Sequence, residues 1–216
     1  MSWNFTKENI FCISLDSRPL RRQKMIARFS AMGMEATICP ASTPETLVDY
    51  FQSFCNPGQK ACAQSHILVW KRILDTNLDY ALVVEDDACF DKEWKKKLDS
   101  FVPPEGWDSI CLNVSEPIVP RDTWVEAHDQ YLTGGYIISR KGCEGLFNMF
   151  RNNYGSSDWM TTCLQRDNHC YTYFPWLIIQ EGDESTIGSG VEADHAKVLR
   201  CLAEIDYSID NYGIYV

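Results

Sequence analysis

Three consecutive carboxylates, Glu85, Asp86 and Asp87, close the apolar run Tyr80-Ala81-Leu82-Val83-Val84. Two carboxylates ~5 Å apart repel by about 3 kcal/mol at an effective dielectric of 20. Such a group therefore needs water, a basic side chain or a bound cation. Hard oxygen ligands suit Mg²⁺ or Mn²⁺, which take one or two carboxylates and fill the remaining positions with phosphate oxygens and water. The plainer alternative is that Asp87 or Asp91 caps the following helix while Glu85 and Asp86 face water. A second reactive set, Asp16, Arg18, Arg21 and Arg22, crowds the stretch "DSRPLRR". Arginine grips phosphate through a planar fork. Acid for a metal and arginine for phosphate together suit a nucleotide diphosphate.

The elements that carry these residues follow from the hydrophobic pattern. "IFCISL" and "YALVV" are apolar without alternation, as strands buried on both faces of a parallel sheet are. A helix is expected from about Leu20 to Met32, ended by Gly33. "EATICPA" reads as a second strand, and "STPETLVDYF" as a short helix with Thr43 as its cap and Pro44 at its first position. "QKACAQSHILVWKRILDT" is amphipathic, with Ala63, Ile67, Trp70 and Leu74 on one stripe. Further on come a Lys-rich helix within "DKEWKKKLDS", a strand "DSICLNV", an irregular stretch over 115–130 and a glycine-interrupted strand "YLTGGYIISR". Helices "KGCEGLFNMF" and "SSDWMTTCLQ", one last strand "CYTYFPWLIIQ" and an acidic, mixed tail complete the chain. Alternating strands and helices predict an open α/β sandwich with a mostly parallel central sheet. In such sheets ligands bind beyond the carboxyl ends of the strands, where both the acids and the arginine loop fall.

Composition narrows the class. At 216 residues with 45% hydrophobic content the chain is globular and long enough for a sizeable core. A net charge of −10 argues against a general nucleic-acid binder. The Lys-rich segment reads as a solvated helix face, with peripheral contact to an anionic membrane as the alternative. The ten cysteines form no CxxC pair, and several sit in apolar strands as small hydrophobes. The start lacks the pattern of a signal peptide and no run is long enough to span a bilayer, so a reduced, cytoplasmic protein is expected.

Three ordered blocks carry a resemblance: "ISLDSRPLRRQKM", "GQKACAQSHILVWKRILD" and "YALVVEDDACF", with weaker echoes in "GGYIISRKGCEGLF", "SSDWM" and "FPWLIIQEGDESTI". Together they resemble the family 25 glycosyltransferases, the group of lipooligosaccharide and collagen galactosyltransferases. The resemblance implies a GT-A type single domain, its nucleotide-binding half about 1–115 and its acceptor-side half about 116–216. It implies inverting transfer of a hexosyl or deoxyhexosyl group from a UDP-sugar to a glycan or glycoconjugate acceptor, with Mn²⁺ or Mg²⁺.

Carried onto this chain, it makes Asp87 the direct metal ligand and Glu85, across Asp86, a ribose or metal-water contact. Ser14, Leu15, Asp16 and Arg18 would edge the uridine pocket, with Arg18 and Arg22 reaching phosphate or base. Ser65 and His66 would point toward the nucleotide or metal. Asp158 is the first candidate for general base, with Asp183 and Glu184 in reserve, and His195 would close the metal shell. Trp159, Tyr171, Tyr173 and Trp176 are candidates for stacking on sugars, or for the core.

Two other readings stay open. One is a non-catalytic nucleotide-sugar or glycan-binding module of the same fold. The other is a Mg²⁺-binding receiver-like signalling domain, which also closes a strand with such acids. A receiver needs them near its start and an Asp ending a later strand, whereas the next buried strand here ends at Asn113.

Overall fold

The computed structural model describes residues 3–167, 169–182 and 191–213, with backbone alone over 191–194. Strand β1 (Ile10–Ser14) is buried at every position, as an unalternating apolar run requires. It pairs in parallel with β2 (Thr37–Pro40) on one side and β3 (Tyr80–Glu85) on the other. Helix α1 (Pro19–Ala31) crosses from β1 to β2; Pro19 opens it, and Gly33 follows its end at a φ of 66°. Helix α2 (Pro57–Asp75) crosses from β2 to β3.

After β3 come β4 (Ala88–Phe90), α3 (Trp94–Asp99), β5 (Ser109–Cys111), β6 (Trp124–Glu126) and β7 (Gly135–Ser139). The chain continues with α4 (Arg140–Phe150), α5 (Ser157–Leu164), β8 (Cys170–Tyr173), β9 (Ile178–Gln180) and α6 (Val191–Glu204). Seven strands make one sheet in the order β2-β1-β3-β7-β5-β8-β6. Strand β7 runs antiparallel to β3 and β5, and β6 antiparallel to β8; the other five share one direction, so the sheet is mostly parallel. Strands β4 and β9 pair separately. Helices cover both faces. Ile67 and Trp70 of α2, Leu146 of α4 and Met160 of α5 pack on one side; Met25 and Phe29 of α1 with Trp94 and Leu98 of α3 pack on the other. This is the open α/β sandwich predicted above.

Four local expectations need correction. "STPETLVDYF" makes only a single 3₁₀ turn, Pro44–Thr46, because the backbone N–H groups of Val48 and Asp49 donate to the Gln64 side chain instead of to a helix. "CYTYFPWLIIQ" breaks around Pro175 into β8 and β9, which lie in different sheets; proline has no N–H to continue a ladder. The stretch 115–130 is not all irregular, since it holds the short edge strand β6; α6 lies in the mixed tail. Lys97 of α3 is not solvated: it turns inward to Asp91 at 3.1 Å and to the Tyr207 hydroxyl at 2.9 Å.

Candidate functional site

The site lies at the carboxyl ends of β1 and β3, beside the N-terminal half of α2. A reciprocal cap starts that helix: Asn56 Oδ1 accepts the Gln59 N–H at 2.8 Å while Gln59 Oε1 accepts the Asn56 N–H at 2.9 Å. With the start so pinned, Cys62, Ser65 and His66 fall on one face by helical spacing. Gln64 stitches the neighbouring loop to the helix through Ser42 Oγ, Thr46 O and the Val48 and Asp49 N–H groups. Loop and helix wall an open cleft, whose lining includes Leu15, Arg21, Cys62, His66, Glu85 and Asp86.

The three acids are not at a water-washed strand end. Asp86 and Asp87 are buried, and the Glu85 side chain is 17% exposed. Arg21 bridges two of them, with Nε 3.0 Å from Asp86 Oδ1 and Nη2 2.6 Å from Asp87 Oδ2. Asp86 Oδ2 accepts the Leu15 N–H at 3.3 Å. Glu85 Oε1 faces His66 Nε2 at 3.1 Å and Cys62 Sγ at 3.8 Å. Glu85 Oε2 and Asp87 Oδ2 lie 3.5 and 3.4 Å from the same Gln180 amide nitrogen, so these two acids converge on Gln180, while Glu85 and Asp86 both line the cleft. Neither Asp87 nor Asp91 caps α3, whose N-cap is Glu93 with no side-chain cap; Asp91 Oδ1 accepts the Glu93 N–H at 2.8 Å in the turn ahead of the helix.

Electrostatics separate the acids. Burial, followed by the Glu85 carboxylate, pushes Asp87 up to about 7 against the pull of Arg21. Burial likewise raises Asp86. On Glu85 burial also acts upward, but the His66 hydrogen bond and the charges around it outweigh that effect and hold it below the usual carboxylate range. Asp87 Oδ1 is buried with no hydrogen-bond partner among the described residues. An ionised oxygen so placed is costly unless something meets it, and a hard cation fits this oxygen-rich pair of Glu85 and Asp87.

The remaining candidates distribute unevenly. Ser14 is buried and accepts from Arg22 Nε at 3.2 Å, while Arg22 Nη2 lies 2.5 Å from Asp16 Oδ1. Arg22 is thus turned along its own loop. Arg18 precedes α1, its N–H donating to Leu15 O at 3.0 Å. Ser65 lines the cleft, yet its hydroxyl donates to Ala61 O and accepts the Ser42 N–H, both at 2.8 Å. Asp158 stands in the first turn of α5, and its neighbour Ser157 reaches Cys62 Sγ at 3.5 Å. The His195 ring packs against Gly182; among the described residues Glu85, Asp87 and His195 do not form a three-ligand group. Asp183 and Glu184 lie outside the described residues. Tyr171, Tyr173 and Trp176 are buried in the core, which rules out sugar stacking, whereas Trp159 is half-buried beside the exposed ring of Phe54 at 5.8 Å.

Sequence reasoning placed Arg21 in the phosphate-side arginine loop without pairing it to the acids, and assigned no roles to Cys62, Gln64, Tyr136 and Gln180. A polar Gln64 inside the amphipathic helix was a readable signal; nothing local in the sequence marks Gln180, which arrives from a strand 93 residues beyond Asp87.

Residues 7–116, half of the chain, match the family model described as glycosyltransferase family 25 (LPS biosynthesis protein). The chain belongs to that family. It is 30% identical over 169 residues to human "Procollagen galactosyltransferase 2", covering 64% of this chain and 27% of that one. It is 24% identical over 259 residues to "Lacto-N-neotetraose biosynthesis glycosyltransferase LgtE" of Neisseria meningitidis serogroup B, covering 93% and 89%. Against the first animal relatives it matches, the chain spans 35% and 27% of their length. A solved structure of a glycosyltransferase involved in glycosylation of the major capsid of PBCV-1 aligns over 89% of this chain and 99% of its own, at 8% identity and a TM-score of 0.38.

Proposed function

We propose that this chain is a metal-dependent inverting glycosyltransferase that moves a hexosyl or deoxyhexosyl group from a UDP-sugar to a glycan or glycoconjugate acceptor. One observation carries the reading. Glu85 and Asp87 converge on one Gln180 amide, and the other oxygen of Asp87, Oδ1, is buried without a partner among the described residues, at the end of the strand where an α/β sheet binds nucleotides. These two carboxylates would hold Mn²⁺ or Mg²⁺, which when bound stabilises the departing diphosphate as a Lewis acid. Ser14, Leu15 and Asp16 edge the nucleotide side, and Arg21, already beside Asp86 and Asp87, adds positive charge where phosphate would lie. Asp158 takes the acceptor hydroxyl proton as general base; its neighbour Ser157 touches Cys62 in the cleft wall. The name of the human relative supports galactose as the first donor to try, and the human and Neisseria names together support glycoproteins or glycans as acceptors. Ten unpaired thiols support a reducing compartment such as the cytoplasm.

The test is a thermal-shift titration with UDP, with and without Mn²⁺, on the native chain and on Asp87→Ala, followed by UDP release from a panel of UDP-sugars. UDP at a hundred times its dissociation constant adds about 2.7 kcal/mol of stability. A Mn²⁺-dependent shift that vanishes in Asp87→Ala is the expected result. No shift with any metal overturns the donor site. A shift without transfer or hydrolysis of any UDP-sugar moves the chain to the binding-module reading.

A further inference from the structure

Trp70, Tyr136 and His66 are all buried between α2 and the sheet. An indole N–H can only donate, and Trp70 Nε1 donates to the Tyr136 hydroxyl at 2.9 Å. The phenolic proton then needs an acceptor of its own. Among the described residues that acceptor is His66 Nδ1, at 2.8 Å. With Nδ1 accepting, the ring hydrogen must sit on Nε2, and Nε2 donates to Glu85 Oε1 at 3.1 Å. The reverse tautomer would aim a second N–H at the phenol oxygen, strand the phenolic proton in the core and set a bare nitrogen against a carboxylate.

Cys62 completes the pattern. An ionised carboxylate can only accept, so the Cys62 thiol is the donor in its 3.8 Å contact with the same Oε1. One oxygen of Glu85 is held by two donors, which leaves Oε2 turned to the Gln180 amide on which Asp87 also converges. Cys62, His66 and Glu85 also offer three ligand atoms within 4.8 Å of one another, which invites a zinc-type reading. Hydrogen-bond polarity opposes it. A metal-ligating histidine donates through its other ring nitrogen, and this one accepts there.

We infer that Trp70 and Tyr136 set His66 as an Nε2–H donor, making it a positioning residue that aims Glu85 Oε2 at the donor's cation rather than a metal ligand itself. The inference rests on the donor-site reading proposed above.

Two measurements test it. In the ¹⁵N-labelled native protein, long-range histidine correlations should show His66 with a bare Nδ1 and a protonated Nε2; a protonated Nδ1 overturns the relay without need of any variant. In Mn²⁺-dependent UDP binding, His66→Gln, whose amide can stand in for Nε2–H, should stay within about threefold of native. His66→Ala should lose about tenfold or more, as lost partners of metal ligands do. Tyr136→Phe should fall between them and show mixed His66 tautomers. If His66→Gln binds as poorly as His66→Ala, or if zinc alone binds the native protein and not Cys62→Ser, His66 is a ligand and the inference fails. If the native protein shows the Nε2–H tautomer but no Mn²⁺-dependent UDP binding, the donor-site reading is the one that has failed, and the positioning role falls with it while the hydrogen-bond relay stands.

Discussion

Arg21 Nη2 stands 2.6 Å from Asp87 Oδ2, and the same guanidinium reaches Asp86 Oδ1 at 3.0 Å. One planar cation thus relieves the repulsion between adjacent acids that the sequence alone leaves unresolved. The pairing is largely shielded from solvent, with Arg21 13% and Asp87 12% exposed at the side chain. Removing one partner of such a pair leaves an uncompensated buried charge, at about 3 kcal/mol. Arg21→Gln should therefore lower the unfolding free energy of the ligand-free protein by that amount, read as a lower urea midpoint at unchanged slope. Mn²⁺ should recover part of the loss by meeting the exposed carboxylates. A midpoint equal to native would mean that the bridge carries no stability.

Asp158 is the residue on which the chemistry can be separated from binding. Asp158→Asn keeps the size of the side chain and its acceptance of the Trp159 N–H at 2.8 Å, but cannot take a proton. Transfer should fall by about 10²–10⁴-fold, with Mn²⁺-dependent UDP binding within twofold of native. Unchanged turnover would remove Asp158 from the role of base.

Glu181 ties α1 to the strand after the acids through Arg28 Nη2 at 2.9 Å and Lys24 Nζ. Burial acts upward on its carboxyl, but the bonds from Lys24 and Arg28 prevail and hold it below the ordinary value of 4.5. A carboxyl depressed in the folded state contributes stability that is complete above its unfolded pKa and is lost as pH falls through the folded one. Glu181→Gln should cost about 3 kcal/mol at pH 7. The gap between variant and native should then close as pH drops below about 4. A constant gap across that range would show that the charge on Glu181 is not what stabilises.

Gly134 sits where β7 passes under Gln180 and Asn113. A Cβ there would meet Asn113 Oδ1 at 2.7 Å and Gln180 Cγ at 2.9 Å. Gly134→Ala should destabilise by about 1–3 kcal/mol through overpacking and also weaken Mn²⁺-dependent UDP binding, because Gln180 is the group between Glu85 and Asp87. Loss of stability with affinity intact would show that Gln180 has no part in the site.

Local patterns were legible wherever one physical cause dominated. The unalternating runs of β1 and β3, the start of α1 near Leu20 and its end before Gly33, and the stripe of α2 all appear where hydrophobic period and backbone restriction place them. The failures share a cause in competition from distant groups. Gln64 takes N–H groups that a helix over "STPETLVDYF" would need, and β4 exists because β9 returns to pair with it.

By itself the sequence determined which chemistry could occur and roughly where. Acids end one strand, arginines follow another, and both strands point the same way, because hydrophobic periodicity and chain direction are local properties. Only the tertiary structure decided the partners. Arg21 rather than water meets Asp86 and Asp87, Asp91 rather than Asp87 bonds the Glu93 N–H ahead of α3, and Tyr136 selects the tautomer of His66. Hydrogen bonds and ion pairs act over about 3 Å, and which groups come that close across 70 residues of chain is settled by packing rather than by spacing.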